Sequence, residues 1–137
     1  MKHELRLSGT GGQGLILAGI ILAEAALLDG KLAIQSQSYG PEARGGSSKS
    51  EVIISEDAIH FPKVTKPDLL LAMSQEAANK YSHDLTKDSV MITDSLFVSE
   101  VPDLAAKFTN CRLPTAHAKG LAKFCLPTLL PLAHWLN

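Results

Sequence analysis

The stretch ELRLSGTGGQG, residues 4–14, followed by LILAGIILAEAALL, constrains this chain more than any other. Leu5 and Leu7 alternate with polar neighbours, the pattern of a strand with one buried face. Four glycines then fall within positions 9–14, and the following residues 15–28 are apolar except Gly19 and Glu24. The order predicts a strand, a tight glycine turn and a helix over about 14–28, with Asp29-Gly30 as its stop. A helix that is apolar on nearly every side has to be covered on more than one of them. In a chain of 137 residues, that points to a partner surface in addition to a sheet.

The rest of the chain continues the alternation. LAIQS (32–36) and EVIIS (51–55) read as strands, and QSYGPEARGGSSKS between them reads as a Gly-, Ser- and Pro-rich loop. That loop has no helical pattern, and parallel neighbours need a long, usually helical crossover, so the third strand is expected antiparallel to the second. Pro67-Asp68 leads into LLLAM, a continuous apolar run suited to a strand buried on both faces. Ser74 stands at an N-cap position, with Gln75 and Glu76 opening a helix that reaches about Tyr81. VMIT is a further buried strand, ending at Asp94-Ser95. The expected fold is α/β, a three-layer sandwich on a Rossmann-like mixed sheet. Beyond Arg112, prolines at 114, 127 and 131 preclude one regular helix over 116–136. A short helix near Ala116–Phe124 is the one element expected there. Residues 1–112 form the expected domain. Residues 113–137 are expected to be an atypical tail, explained by truncation, a frame change or a divergent end, that packs poorly or is completed by a second copy.

Formal net charge is −1, with neither sign strongly clustered, which argues against a nucleic-acid surface or a polybasic membrane patch. The apolar run from Leu15 to Leu28 falls short of the ~20 residues that span a bilayer. With no secretory signal visible, a cytoplasmic location is expected. Cys111 and Cys125 lack CxxC spacing and are expected to be reduced, partly buried thiols, with no zinc or iron–sulfur site made by this chain alone. His3, His60, His83, His117 and His134 show no metal spacing. Neither a GxSxG elbow nor a Ser-His-Asp order is present, so no catalytic residue is assigned.

Two loops carry the candidate site. Gly9, Gly11 and Gly14 match GxGxxG between a strand and a helix, the setting in which backbone N–H groups and a helix N-terminus face a pyrophosphate. The companion carboxylate that would hold the ribose is missing, because the next strand ends in Gln35-Ser36-Gln37-Ser38. No Lys-Ser or Lys-Thr follows the glycines, which excludes a P-loop. The glycines therefore serve close approach, either of the helix to the strand or of a partner or cofactor tail to the turn. The second loop, Tyr39-Gly40-Pro41-Glu42-Ala43-Arg44-Gly45-Gly46, is either an exposed ion pair or a shaped loop presenting Tyr39 and Arg44 to an anion or a partner. Asp94 and Ser95 come directly after a strand, where α/β sheets tend to place site residues, or where they would cap the next segment.

Taken together, GTGGQGLILAGIILAEAA, QSYGPEARGGSSKSEVIIS, KPDLLLAMSQEA and VMITDS resemble the gamma subunit of the 2-oxoacid:ferredoxin oxidoreductases, over about residues 3–95. HELRLSGTGGQGLILAG with QSQSYGPEARGG is most similar to the 2-oxoglutarate-type branch. The resemblance implies a gamma-type domain over 1–112 in a cytoplasmic complex that oxidatively decarboxylates a 2-oxoacid to its acyl-CoA and reduces ferredoxin. It implies alpha and beta subunits as partners. Thiamine diphosphate, magnesium and iron–sulfur clusters would sit in those subunits, and none of them on this chain. Coenzyme A would be a substrate of the complex. Gly9, Gly11, Gly12, Gln13, Gly14, Tyr39, Arg44 and Gly45 are the residues expected to meet a cofactor, with a phosphate-bearing tail such as that of coenzyme A as the ligand. The alternative is a free-standing Rossmann-type dinucleotide-binding module, and self-association of the isolated chain stays open.

Overall fold

A computed structural model describes residues 1–40, 46–103 and 107–111. The short helix expected near 116–124, the packing of the tail and its completion by a second copy lie outside the described residues. Elements run β1 (Lys2–Thr10), α1 (Leu15–Leu28), β2 (Leu32–Tyr39), β3 (Ser47–Ser55), β4 (Leu69–Ala72), α2 (Gln75–Tyr81), a 3-10 turn (Ser82–Asp84), β5 (Val90–Asp94) and β6 (Lys107–Cys111). The strands form one mixed sheet in the order β2-β3-β1-β4-β5-β6. Among these strands only β3 runs against the others, pairing antiparallel with both β1 and β2, whereas β1, β4, β5 and β6 are parallel neighbours.

The antiparallel placement of β3 is as expected, but the loop before it is shorter than its composition suggests. Register is set from Leu32↔Ser55 to Tyr39↔Ser48, so the ladder extends into QSY on one side and SSKS on the other. Pairing to β3 outweighs the weak strand preference of Ser and Gln, because strand preference is largely a property of context. β6, KFTNC, is not among the strands expected from the sequence. It is five residues long and has no alternation that would mark it.

Helices cover both faces, which gives the expected three layers. α1 lies across β1, β2 and β3 and closes a core of Leu5, Leu7, Leu15, Ala18, Ala23, Ala26, Val52, Ile54, Leu69 and Leu71. α2 closes the other face with Ala77 and Ala78 against Leu70, Ala72, Met91 and Val98. The alternation Leu69, Leu71 versus Leu70, Ala72 sends neighbouring side chains of β4 into different cores, as a strand buried on both faces must. α2 begins as expected, with Ser74 Oγ accepting from Ala77 N–H at 3.1 Å. α1 ends at Asp29-Gly30, where the Asp29 and Gly30 N–H groups bond the Ala25 and Leu27 carbonyls.

Candidate functional site

The C-terminal ends of β1, β2, β4 and β5 share one edge of the sheet, and both sequence-predicted loops emerge there. The chain leaves β1 through α1 on one face and leaves β4 through α2 on the other. The junction between β1 and β4 is thus the topological switch point, where open α/β sheets usually leave a crevice for ligands.

Here the Gln13 side chain bridges the two strands at that junction. Gln13 Oε1 accepts the Thr10 N–H at 2.8 Å, and Gln13 Nε2 donates to the Met73 carbonyl at 2.9 Å. One side chain therefore joins the end of β1 to the residue just past β4. Gly9 is buried and faces inward: a Cβ there would lie 2.2 Å from Gln13 Oε1 and 2.9 Å from Leu15 Cδ1. Gly14, the N-cap of α1, has φ 76° and no side-chain cap, and Gly12 has φ 88°. Both need the left-handed conformation that glycine tolerates. Gly11 and Gly12 are exposed, while Gln13 and Gly14 are half-buried.

The second loop is tied to the first. Gly11 N–H donates to the Gly46 carbonyl at 3.1 Å, and Gly40 N–H to the Ser47 carbonyl at 2.7 Å. Tyr39 ends β2 and is 66% exposed. Arg44 and Gly45 lie outside the described residues. Asp94 is buried and its Oδ1 accepts the Leu96 N–H at 2.9 Å, so it shapes the chain after β5. Among the described residues no group of three or more His, Cys, Asp and Glu could hold a metal ion. Likewise, no helix among them is long and apolar enough to cross a membrane.

The topology weighs against a dinucleotide. In the usual arrangement the second strand lies beside the first, and its end grips the ribose. Here β3 separates β1 from β2, which moves the end of β2 about 10 Å from β1 at normal strand spacing. The free-standing dinucleotide-binding module is not favoured.

Residues 4–128 match the family described as Pyruvate ferredoxin/flavodoxin oxidoreductase. The chain belongs to that family. It is 59% identical over 100 residues to 2-oxoglutarate synthase subunit KorC of Methanocaldococcus jannaschii, covering 72% of this chain and 54% of that protein. A solved keto/oxoacid ferredoxin oxidoreductase gamma subunit from Geobacter sulfurreducens PCA matches with TM-score 0.69 and 54% identity, covering 81% of this chain and 62% of that one. The 2-oxoglutarate:ferredoxin oxidoreductase of Magnetococcus marinus, solved with 2-oxoglutarate, coenzyme A and succinyl-CoA bound, shares the fold. Its TM-score is 0.70 at 19% identity, over 92% of this chain and 21% of that one. The chain spans about half the length of the curated relatives it matches.

Two features of this family member escape a reading of the sequence. The carboxamide of Gln13 turns inward, although the motif draws attention to the backbone around it. Gln75 also clamps the segment after β5: its Oε1 accepts from the Ser99 and Glu100 N–H groups, both at 3.0 Å, and its Nε2 donates to the Glu100 carbonyl. Only the position of Gln75 in the first turn of α2 is visible in the sequence.

Proposed function

We propose that this chain is a gamma-type subunit of a 2-oxoglutarate:ferredoxin oxidoreductase. It would work in a cytoplasmic complex that converts 2-oxoglutarate and coenzyme A to succinyl-CoA and carbon dioxide while reducing ferredoxin. Its high identity to KorC-type subunits supports the substrate branch. The observation that carries the subunit role is the outer face of α1. Leu17, Ile20, Ile21 and Leu28 are all exposed, Leu28 at 90%, and recur at the spacing of one helix face. Exposed Glu24 lies on the same face between Ile21 and Leu28, so the apolar surface is Leu17, Ile20 and Ile21 with Leu28 beyond the glutamate, still more than a monomeric soluble protein usually leaves uncovered. The partners that fit are the alpha and beta chains of the same enzyme. Thiamine diphosphate with magnesium, together with iron–sulfur clusters held by those chains, would supply the decarboxylation and electron-transfer chemistry.

Within such a complex, this chain's residues would shape and bind. The exposed Gly11–Gly12 backbone, tied to Gly46, offers a low-relief surface to a partner or to the phosphate-bearing tail of coenzyme A. Arg44 would supply the cationic fork for that tail. Co-expression with the alpha and beta chains tests the reading. The expected result is a co-purifying complex with viologen reduction that depends on 2-oxoglutarate and coenzyme A. Full turnover without this chain, or saturable NAD binding by the chain alone, would overturn it. Calorimetry on the complex should show weaker coenzyme A binding for Arg44→Ala, and unchanged affinity would remove the arginine from the site.

A further inference from the structure

The sheet has two edges, β2 and β6, and they are unlike. An open edge is a row of unpaired N–H and C=O groups, which proteins blunt with charges, proline, bulges or short length. β6 is five residues long and opens on Lys107. β2, LAIQSQSY, is eight residues long and has neither a charge nor a proline. Its register with β3 runs from Leu32↔Ser55 to Tyr39↔Ser48 without a bulge. Leu32, Gln37, Ser38 and Tyr39 are exposed. Among the described residues no strand pairs with its outer side. We propose that β2 is a docking edge for a second copy of this chain. The copy adds its own β2 antiparallel and continues the sheet across a two-fold axis at Ser36. This contact is additional to the one with the alpha and beta chains and does not depend on it.

The strand suits its own copy for two reasons. An isologous contact sets the strand against itself, so a charge within it would stand near an identical charge, and β2 carries none. The second reason is the layer above. α1 lies chiefly over β2 and β3, which places its axis about half a strand spacing inside β2. A two-fold axis half a spacing outside β2 then sets the two α1 axes about 10 Å apart, or two spacings. Packed helices lie about 8–10 Å apart, so one axis closes strands and helices together. With both α1 helices on one side, opposed residues must share a face, and the axis therefore falls on a residue. Ser36 is central and small enough to meet itself, whereas Gln35 Nε2 already donates to Ser50 Oγ at 3.0 Å. That register sets Gln35 against Gln37, and Ala33 against Tyr39, of the second copy. Gly19 stands against Ser50 and Val52, whose β2 partners are Gln37 and Gln35, so the axis passes α1 at the level of Gly19. The helical turn and the right-handed crossover from β1 to β2 put exposed Ile20 on the β2 side. There it meets its copy. Leu17, Ile21 and Leu28 point away from the axis and stay available to other chains. Glu24, five residues beyond Gly19, ends about 15 Å from its counterpart along the helix direction.

The experiment is sedimentation velocity on the full chain over a concentration series. A concentration-dependent dimer is expected, and a monomer throughout would overturn the proposal. Gln37→Lys gives this edge the kind of charge that β6 has and sets the two lysines diagonally across the axis. It should shift the chain to the monomer with its far-UV circular dichroism unchanged. Disulfide trapping in a Cys111→Ser, Cys125→Ser background reads the contact independently. Opposed residues of an antiparallel pair have Cα atoms about 4.5–5.5 Å apart, within disulfide reach. Ser36→Cys should therefore give a covalent dimer under mild oxidation. Ser38→Cys should not, because in this register it lies about 14 Å from its counterpart. Survival of the dimer in Gln37→Lys, or a cross-link at Ser38→Cys in place of Ser36→Cys, would sink the proposal. Should Gln37→Lys fail to fold, the trapping alone decides. Exchange protection of the β2 amides that appears only when alpha and beta chains are added would give the edge to another chain and equally overturn it. Loss of binding to those chains with the homodimer intact would count against the subunit reading alone.

Discussion

The two faces of the sheet bury their strands by different means. On the α1 face helix and sheet approach very closely: a Cβ at Gly19 would run into Ser50 Oγ and lie 3.2 Å from Ser50 Cβ. That helix then turns a second apolar face outward. On the α2 face a charge is buried. Arg6, 4% exposed, donates from Nε to Glu51 Oε1 at 2.8 Å, from one terminal nitrogen to the Val64 carbonyl at 3.0 Å and from the other to Asp84 Oδ2. Lys49 Nζ reaches Glu51 Oε1 at 3.2 Å, and the Tyr81 ring lies 5.2 Å from the Arg6 guanidinium. A short α2 cannot cover this face with apolar surface, so the Arg6 cluster links β1, β3, Val64 and the 3-10 turn instead. The difference separates a face closed by a buried ionic cluster from the face that the proposed function assigns to another chain.

The sharpest way to break the contrast is Arg6→Ala. Losing one partner of a buried ion pair costs about 3–5 kcal/mol, an upper bound here because Lys49 Nζ still reaches Glu51 Oε1; urea denaturation should show a decrease that approaches it. Pairing Arg6→Met with Glu51→Leu should recover part of it, since apolar replacement of both partners removes the stranded charge. On the other face, Gly19→Ala should destabilise by about 1–3 kcal/mol from overpacking against Ser50, despite the better helix propensity of alanine. An increase in stability would mean that the helix-to-sheet distance is not fixed by this contact. Ser74→Ala removes the cap of α2 and should cost about 1 kcal/mol, read as a lower midpoint in the same denaturation series. Smallest in stability is Leu28→Gln, expected within about 0.5 kcal/mol of native because the side chain is exposed. Its effect should appear as weaker association with the alpha and beta chains. A large stability loss instead would show that Leu28 is packed within this chain.

Much of this contrast is legible in the primary structure, though unevenly. The all-round apolarity of residues 15–28 announces an uncovered helix face by itself. Arg6, placed between Leu5 and Leu7, reads by alternation as a solvent-facing residue. The clue that it is not comes from LLLA in β4: a strand buried on both faces beside β1 leaves β1 no wet side. In the candidate site, the turn, its glycines and the missing carboxylate are all readable. The inward path of Gln13 is not, because its partners, the Thr10 N–H and the Met73 carbonyl, are backbone groups that leave no mark on residue type.

Local pattern determined the features that depend on neighbours along the chain. The period of apolar residues set the strand, helix and strand succession, Ser74 and Asp29-Gly30 bounded the helices, and the glycines allowed the turn. Strand order was decided in three dimensions. The insertion of β3 between β1 and β2, the burial of Arg6 and the Gln13 link to Met73 all depend on contacts between residues tens of positions apart. Such contacts form only when apolar faces and backbone donors are satisfied together. That is the physical reason a motif shared with nucleotide-binding folds sits here on a sheet whose second strand is not beside its first.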